Sequence, residues 1–423
     1  MAERGQQAAD GLRPLRIAWV QRTFLDYRLP VLAALDQQNG AVAGARGLHF
    51  LFSADAVPDR CTAKAQALLG PRAVGLRGEW GAGREDREFR ANRNFSVRWQ
   101  PGLLRELRRI APDVVIGNGF FKWTVAGYYW RATRGVPLVV TYERTAHTER
   151  HAQWYRRSYR RWCLRHIDAL CANGSLCRDY LVGHGVPETR ITLGHMVADT
   201  EGLAARVAAL TRAEVDRVRR DLGLGRLTVG CVGRLLPLKG LEEALRGWQA
   251  AGLDAAGATL LLVGDGPERQ RLVRLAAELG IRGVRFAGAV DYDRLAPYYA
   301  CLDALLMPSL EDNWSLVVPE AMACGKPVLC STRNGCWPEL VRHGETGWLF
   351  DPADLASLSH ALRQCVDHRD QLPAMGARSR TLVATHSPAA AAASVLSACR
   401  IAIDHRRLRL ARRPAAPPRE RRA

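Results

Sequence analysis

The chain alternates short apolar runs with segments in which apolar residues recur at helical spacing. In the first half, this pattern predicts strands at 15–20, 47–52, 113–117, 138–141 and 169–172, with helical segments between them, including 27–37 and 102–110. Residues 58–95 are rich in Gly and Arg without a clear period, so loops and short pieces are expected there. Such alternation favours a parallel sheet covered by helices.

The alternation starts again after a polar helical segment at 199–222, which we interpret as a hinge region. The second half predicts strands at 227–232, 259–263, 284–286, 304–307 and 327–330, separated by helices at 241–250, 268–279, 293–301 and 315–323. Further helices follow residue 352 and end near residue 403. The fold class is therefore α/β, with two doubly wound Rossmann-like domains.

These patterns divide the chain into five parts. We predict a loose leader at 1–14, an N-terminal domain at 15–200, a C-terminal domain at 201–385, a C-terminal helix at 386–405 and a basic tail at 406–423. One predicted arrangement has the C-terminal helix returning to the N-terminal domain. The tail carries eight arginines, three prolines and one glutamate, a composition typical of disorder.

Composition narrows the class of protein. Hydrophobic residues make up 48% of the chain, which excludes a wholly disordered protein, and no run of 18 apolar residues predicts a transmembrane helix. The 11 cysteines form no CxxC or Cys/His cluster and are interpreted as small core residues in a reducing cytosol. The formal charge of +19 leaves anionic lipid, nucleic acid and a phosphorylated substrate as candidate partners.

A basic turn follows the first strand of the second half. Arg234 comes directly after Gly233, and Lys239 stands just before the next helix. Arg offers a planar fork of donors and Lys a point charge, and a helix N-terminus adds free backbone N–H groups. The turn is therefore predicted to bind a diphosphate, with a solvated basic turn as the alternative. Gly264 begins a second tight turn, which alone is a weak signal.

Two carboxylates stand near the helix predicted at 315–323. Asp312 lies in the loop before it and Glu320 lies within it, among apolar neighbours. An unpaired carboxylate in a mostly buried helix is costly, so Glu320 is expected to face a cleft with Asp312 and to accept hydrogen bonds from sugar hydroxyls. An exposed helix residue is the alternative for Glu320.

The DxD pattern at Asp291 and Asp293 is found at some sites that bind a divalent metal ion. Here the pattern precedes a predicted helix, so Asp293 is interpreted as an N-cap. We expect neither a bound metal nor a cofactor.

The segment EDNWSLVVPEAMACGKPV resembles the signature of retaining glycosyltransferases of the family 4 type, in which two Glu residues are separated by seven positions. Asp312 stands at the first of these Glu positions. The Gly-Arg-Leu…Lys-Gly turn is also similar, and Cys336 replaces the second Gly of a Gly-Gly…Pro-Glu turn. The resemblance is specific from 228 to 351 and diffuse in the first half.

The resemblance implies the GT-B fold, in which two Rossmann-like domains face a cleft, and it implies roles for single residues. Arg234 and Lys239 would bind the donor diphosphate, Asp312 the donor sugar and Glu320 the ribose; these four form the predicted catalytic set. The resemblance implies transfer of a glycosyl group with retention, and with the leaving group neutralised by Arg and Lys rather than by metal. The other donor-binding positions would be Gly233, Gly264 and the backbone amides of Asn313, Trp314, Ser315 and Leu316.

Acceptor-side residues are harder to choose from the first half. Related chains have a Gly-rich loop where this one has Arg22 and its neighbours, and a sugar-contacting His after the strand at 138–141. Glu143 or His147 would take that place, and a salt-bridged Glu or surface His is the alternative. Residues 122–165 interleave aromatic and basic side chains, which suits an anionic membrane surface, single-stranded nucleic acid or an ordinary core with solvated Arg.

Together these features favour a transferase that moves sugar from a nucleotide-diphosphate sugar to an envelope polysaccharide or lipid-linked acceptor. Its expected location is cytoplasmic, with a peripheral position on the inner face of the cell membrane as a further possibility. The alternatives are a sugar-nucleotide epimerase or hydrolase of the same fold and a basic nucleic-acid-binding protein. Given the predicted donor site, nucleic acid is the weaker partner.

Overall fold

A computed structural model describes residues 13–40, 47–84 and 95–411 of the protein. The predicted leader lies outside the described residues except for its last two positions. Two parallel sheets, one of seven strands and one of six, divide the described chain between β9 and β10. A short antiparallel pair, β4 and β5, stands apart from both.

The first sheet has the order β3-β2-β1-β6-β7-β8-β9. The strands of this half are β1 Arg16–Val20, β2 Gly47–Ser53, β3 Ala73–Leu76, β4 Trp80–Arg84, β5 Phe95–Trp99, β6 Val114–Asn118, β7 Leu138–Tyr142, β8 Ala169–Ala172 and β9 Ile191–Leu193. Its helices are α1 Leu29–Gln38, α2 Asp59–Leu69, α3 Pro101–Ile110, α4 Thr124–Arg134, α5 Trp154–Arg165 and α6 Gly174–Gly183.

The second sheet has the order β12-β11-β10-β13-β14-β15. Its strands are β10 Leu227–Val232, β11 Ala258–Val263, β12 Val284–Gly288, β13 Ala304–Met307, β14 Val328–Ser331 and β15 Gly347–Phe350. The helices of this half are α7 Thr200–Ala208, α8 Arg212–Asp221, α9 Leu241–Ala250, α10 Arg269–Glu278, α11 Ala296–Cys301, α12 Val317–Ala323, α13 Trp337–Leu340, α14 Leu355–Asp367, α15 Leu372–Val383 and α16 Pro388–Ala411.

Each sheet has a separate hydrophobic core on each of its two faces. Buried strands alternate their side chains between the two faces, so each face must be covered by helices. The prediction of two doubly wound Rossmann-like domains is therefore confirmed. In both sheets the strands run parallel, which brings their carboxyl ends to one edge and positions the loops discussed below.

The expectation of loops at 58–95 is wrong for the described part of that stretch. Helix α2 occupies Asp59–Leu69 and strand β3 follows it at Ala73–Leu76. The buried face of α2 consists of Cys61, Ala65 and Leu69, at helical spacing. Two of these residues are small, so the apolar periodicity of this face is a weak signal in an otherwise polar sequence. Residues 85–94 lie outside the described part.

Helix α16 packs on the N-terminal sheet, where Ala392, Val395 and Cys399 are buried in its core. The predicted tail is wrong at its start, because α16 continues through Arg406 to Ala411. Arg406 donates to the carbonyl oxygens of Gly135 and Arg131 over 3.1 and 3.3 Å, which caps the end of α4. Residues 412–423 lie outside the described part.

One helical stretch, Arg369–Arg409, is long and apolar enough to cross a membrane by length and composition. Of its most apolar window, 44% is buried inside the described part of the protein. All 11 cysteines lie in the described residues, and all are buried free thiols.

Candidate active site

Three loops of the C-terminal domain meet at the carboxyl ends of adjacent strands. They follow β10, β11 and β13, and β10 lies between the other two in the sheet. A Cβ atom on Gly264 would lie 1.9 Å from the Gly233 carbonyl oxygen. One on Gly240 would lie 1.9 Å from the carbonyl oxygen of Pro308. Since no side chain fits at such distances, glycine is what lets these loops pack together.

Asp312 and Lys239 lie at the centre of the surface that these three loops form, which is one wall of the cleft. Lys239 Nζ donates to Asp312 Oδ2 over 2.6 Å, and Ser309 Oγ donates to the same oxygen over 3.5 Å. Arg234 and Lys239 line one small pocket at the end of β10. The structure thus brings three of the four predicted catalytic residues into one charged group, with Arg234 exposed at its edge.

The turn after β14 holds the Asp312 loop in place. Gly335 N donates to Asp312 O over 3.0 Å, and a Cβ on Gly335 would lie 1.9 Å from the Asn313 carbonyl oxygen. Cys336, at the position of the second Gly in the related motif, is fully buried. Its backbone N donates to Asn334 Oδ1 over 3.2 Å, so the turn keeps its shape with Cys at this position.

The predicted sugar pocket consists of residues 313–316, and the structure places these four residues in different surroundings. Asn313 Oδ1 is buried without a hydrogen-bond partner among the described residues. Trp314 is 6% exposed and packs toward the first domain, because a Cβ on Gly174 would lie 2.6 Å from its ring. Ser315 is buried with its Oγ 3.6 Å from Met307 Sδ, and Leu316 is half-buried at the start of α12.

Glu320 lies apart from the charged group. Its carboxylate is buried, only 5% exposed, and accepts a hydrogen bond from Tyr299 OH over 2.6 Å. Burial raises the pKa of Glu320 to about 7, against the opposing effect of the Tyr299 hydrogen bond. The nearby charges are Asp199 and Arg206. The expectation that Glu320 faces the cleft beside Asp312 is not met, because α12 packs on α7 and covers the carboxylate.

The opposite wall comes from the loop after β7. His147 Nε2 donates to the Leu310 carbonyl oxygen over 3.1 Å, and Arg150 pairs with Glu311 over 2.9 Å. Burial lowers the pKa of His147, so the ring is neutral at pH 7. His147 therefore joins the two domains through the loop that carries Asp312.

Glu143 faces charged groups of both domains. Burial raises the pKa of its carboxyl, Arg144 and Arg28 oppose the rise, and the charge of Asp312 adds to it. Glu143 directly follows β7, in the same loop as His147. Because His147 contacts the loop that carries Asp312, Glu143 lies on the side of the cleft opposite the loops of the C-terminal domain.

Arg22 is anchored by an acidic residue far away in the sequence. Its Nε donates to both carboxylate oxygens of Glu79 over 2.8 Å, and Glu79 also accepts from Trp123 Nε1 over 2.7 Å. Arg22 and Glu143 line one cavity of about 280 Å³ at the carboxyl ends of β1, β6 and β7. Two of the three acceptor-side candidates therefore share a cavity.

Sequence reasoning did not assign five other lining residues of this cavity to a site: Asn118, Lys122, Tyr142, Arg144 and Arg160. One signal is present in the sequence, the interleaving of basic and aromatic residues at 122–165, which suits an anionic membrane surface, single-stranded nucleic acid or an ordinary core with solvated Arg. The structure resolves that stretch into buried Trp123, Tyr128 and Trp130 and exposed Trp154 and Trp162.

The aspartates of the DxD pattern are engaged across the domain boundary. Asp291 pairs with Arg60 over 3.1 Å, and Asp293 pairs with Lys64 over 3.3 Å. The N-cap assignment of Asp293 is wrong, since Asp291 precedes the short 3-10 helix that contains Asp293. Within residues 13–40, 47–84 and 95–411, no cluster of three or more His, Cys, Asp or Glu side chains could hold a metal ion.

Two protein families match the chain over regions that include the loops described above. Glycosyl transferases group 1 matches residues 226–368, and Glycosyltransferase Family 4 matches residues 71–201. The chain belongs to the family 4 type of glycosyltransferases. Its motifs at 233–240 and 312–320 lie within the first match, and the loop after β7 lies within the second.

Relatives include enzymes of Rhodococcus opacus and Mycobacterium tuberculosis. The chain is 31% identical to the D-inositol 3-phosphate glycosyltransferase of Rhodococcus opacus over 305 residues, which cover 66% of this chain and 65% of that protein. It is 34% identical to the GDP-mannose-dependent alpha-(1-6)-phosphatidylinositol monomannoside mannosyltransferase of Mycobacterium tuberculosis over 180 residues, 41% of this chain. That match spans 46% of the mannosyltransferase, so the chain matches less than half of its length.

Solved structures share the fold of this family 4 chain. The Anabaena protein HepE, in complex with UDP, superposes with a TM-score of 0.68 at 17% identity, covering 90% of this chain and 98% of HepE. Sucrose-phosphate synthase from Thermosynechococcus elongatus superposes with a TM-score of 0.62 at 20% identity, covering 93% and 99%. These likenesses confirm the GT-B fold.

Proposed function

We propose that this protein transfers a sugar from a nucleotide-diphosphate sugar to a glycan or lipid-linked acceptor, with retention. The observation that carries the proposal is the charged group of Arg234, Lys239 and Asp312 at the carboxyl ends of β10 and β13. Its relatives are named for GDP-mannose and inositol phosphate substrates, which supports a nucleotide-activated donor.

The chemistry follows from where charge develops. When the glycosidic bond to the diphosphate breaks, negative charge grows on the leaving phosphate oxygens. Arg234 and Lys239 stand where they would stabilise that charge. Asp312 pairs with Lys239 and would release it to the phosphate while turning to the sugar hydroxyls. Retention is proposed on the resemblance to retaining enzymes.

The same arrangement supports catalysis that does not depend on a metal ion. Asp291 and Asp293 are the acidic pair that resembles a metal motif, and their carboxylates pair with Arg60 and Lys64. Two cations at the diphosphate turn supply the charge that a divalent ion would otherwise provide. We therefore expect activity to survive EDTA, and loss on chelation with recovery on adding Mg²⁺ would contradict this part of the proposal.

The diphosphate turn is tested by binding of GDP and UDP. Arg234→Ala with Lys239→Ala should weaken the nucleotide affinity at least about tenfold, because charge-assisted hydrogen bonds contribute on the order of 1.5–3 kcal/mol each. Calorimetric titration measures the affinity, and a circular dichroism melt shows that the variant is folded. Exposed Arg108 and Arg109 on α3, changed together to Ala, provide a control with the same loss of charge. Unchanged affinity in the folded double variant would refute the assignment.

An association with anionic membrane is a further part of the proposal. One face of α5 exposes Trp154 and Trp162, at 78% and 46%, together with Arg161 and Arg165. Indole rings settle at the membrane interface, and arginines attract anionic headgroups. This combination would place the acceptor cleft near the inner face of the cell membrane.

Sedimentation with vesicles tests the α5 face. The full chain should bind anionic vesicles at low salt and leave them at high salt, because screening acts within about 10 Å at 0.1 M. The double variant Trp154→Ser, Trp162→Ser should bind these vesicles less. The same comparison in a chain that ends at Ala411 shows how much of the binding does not depend on the tail arginines beyond that residue. If that shorter chain ignores anionic vesicles, a soluble acceptor becomes the better assignment.

A further inference from the structure

The cavity of the N-terminal domain is strongly basic. Its volume is about 280 Å³, and it is lined by the basic side chains of Arg22, Lys122, Arg144 and Arg160. Glu143 is the single acidic residue of the lining. Such a concentration of positive charge around a small space favours a compact anion.

The acidic residues behind the cavity neutralise this charge only in part. Glu149, whose side chain is 2% exposed, pairs with Arg144 over 2.9 Å and also with Arg160. One carboxylate thus serves two guanidinium groups. Glu79 pairs with Arg22, a single guanidinium group, from outside the lining. Positive charge therefore remains on the cavity side, where Lys122 adds to it.

Two polar groups of the lining are buried without a hydrogen-bond partner among the described residues. They are Arg160 Nε and the hydroxyl group of Tyr142, on residues that are 2% and 4% exposed. Tyr142 is held by stacking on Phe120, with ring centroids 4.5 Å apart. Burying donors without acceptors is unfavourable, so these groups are suited to a ligand rich in acceptor oxygens.

We propose that this cavity binds a phosphate group carried by the acceptor. The inference rests on the proposed function and adds the chemical class of its second substrate. A phosphate supplies several acceptor oxygens and close to two negative charges at pH 7, which matches planar Arg forks and a Lys point charge. Glu143 borders the cavity and is affected by the charge of Asp312, so hydroxyls next to a bound phosphate would point to the donor loops.

Titration calorimetry with glucose 6-phosphate and with inorganic phosphate tests the site, with glucose as the uncharged control. The donor turn could also bind phosphate, so the titrations are performed on the full chain and on its Arg234→Ala, Lys239→Ala variant. Binding should persist in that variant. Adding Lys122→Gln or Arg144→Gln should weaken it about tenfold, while Arg108→Gln on the surface of α3 should not.

Lys122 is exposed, so its replacement does not endanger folding. Phosphate that fails to bind the donor-turn variant, or that binds its Lys122→Gln, Arg144→Gln derivative equally well, would overturn the inference. The proposed function has a separate criterion, since it fails if GDP and UDP do not bind the wild-type chain or bind the Arg234→Ala, Lys239→Ala variant with unchanged affinity. The two failures are therefore distinguishable.

The phosphate could belong to a soluble sugar phosphate or to a lipid-linked acceptor. Vesicles of lipid without net charge, to which undecaprenyl phosphate is added as the only anionic lipid, distinguish these sources in a sedimentation assay. Binding that is displaced by glucose 6-phosphate and lost in Lys122→Gln assigns the cavity to the lipid phosphate. Binding of glucose 6-phosphate without vesicle binding assigns it to a soluble acceptor, and binding of neither probe refutes the site.

Discussion

The two walls of the cleft are built by different means. On the C-terminal side, backbone packs on backbone where Gly264 meets Gly233 and where Gly335 meets Asn313. On the N-terminal side, ion pairs between side chains position Arg22 and Arg160. The wall that we propose to bind the donor is therefore held by close backbone packing, whereas the wall that we propose to face the acceptor depends on which charges meet after folding.

This difference has consequences for tolerance to change. A carbonyl oxygen 1.9 Å from a new Cβ cannot be accommodated without moving the backbone. An ion pair can be rebuilt with other residues as long as opposite charges still meet. We expect the donor wall to fail sharply when altered and the acceptor wall to change its ligand while the fold persists.

Gly264→Ala should have the largest effect. The substitution combines a φ of +139° with a backbone clash, so we expect a loss on the order of 4 kcal/mol in the free energy of unfolding, together with loss of nucleotide binding. Urea denaturation and nucleotide titration measure the two effects. Gly183→Ala, where a Cβ meets nothing within 4 Å, should change neither. A stable, nucleotide-binding Gly264→Ala protein would show that the donor loops are not packed as described.

Glu320→Gln should remove a pH dependence of stability. The pKa of Glu320 rises from 4.5 to about 7 in the folded state, so folding holds a proton that the unfolded chain has released. Relative to the Gln variant, the wild-type protein should therefore lose roughly 3 kcal/mol as the pH rises from about 4 to 8. Urea denaturation across this range measures the difference. Glu345→Gln on the surface serves as control, and parallel pH curves for wild type and Glu320→Gln would contradict the buried carboxyl.

Glu79→Gln should have the smallest effect on stability and a selective effect on function. Arg22 and Trp123 share the Glu79 carboxylate, and losing its charge should cost about 1–2 kcal/mol. The KM for the acceptor should rise while the affinity for GDP or UDP stays constant. Glu188→Gln, also in the N-terminal domain, is the matched control. Equal losses in donor and acceptor binding would mean that the two walls are not independent.

The fold was largely predictable because its signals are local. Buried parallel strands such as β10 and β13 are continuous apolar runs between polar turns, and the turns carry the Gly, Arg and Lys of the donor wall. Helix α2 escaped prediction because its buried face uses small residues. The helix at residues 406–411 was not predicted, because an Arg-rich composition indicates disorder. The contact of Arg406 with Gly135 forms only in the folded protein and cannot be read from the sequence.

The sequence by itself determined two doubly wound domains, the basic turn at Arg234 and Lys239, and the loop carboxylate at Asp312. These depend on hydrophobic periodicity and on residues close together along the chain. Only the tertiary structure decided that Glu320 is buried against Tyr299, that Asp291 and Asp293 pair with cations, and that four basic residues surround one cavity. The reason is physical: a charged side chain is defined by its partners, and here those partners are separated by tens to hundreds of residues and meet only when the sheets are assembled.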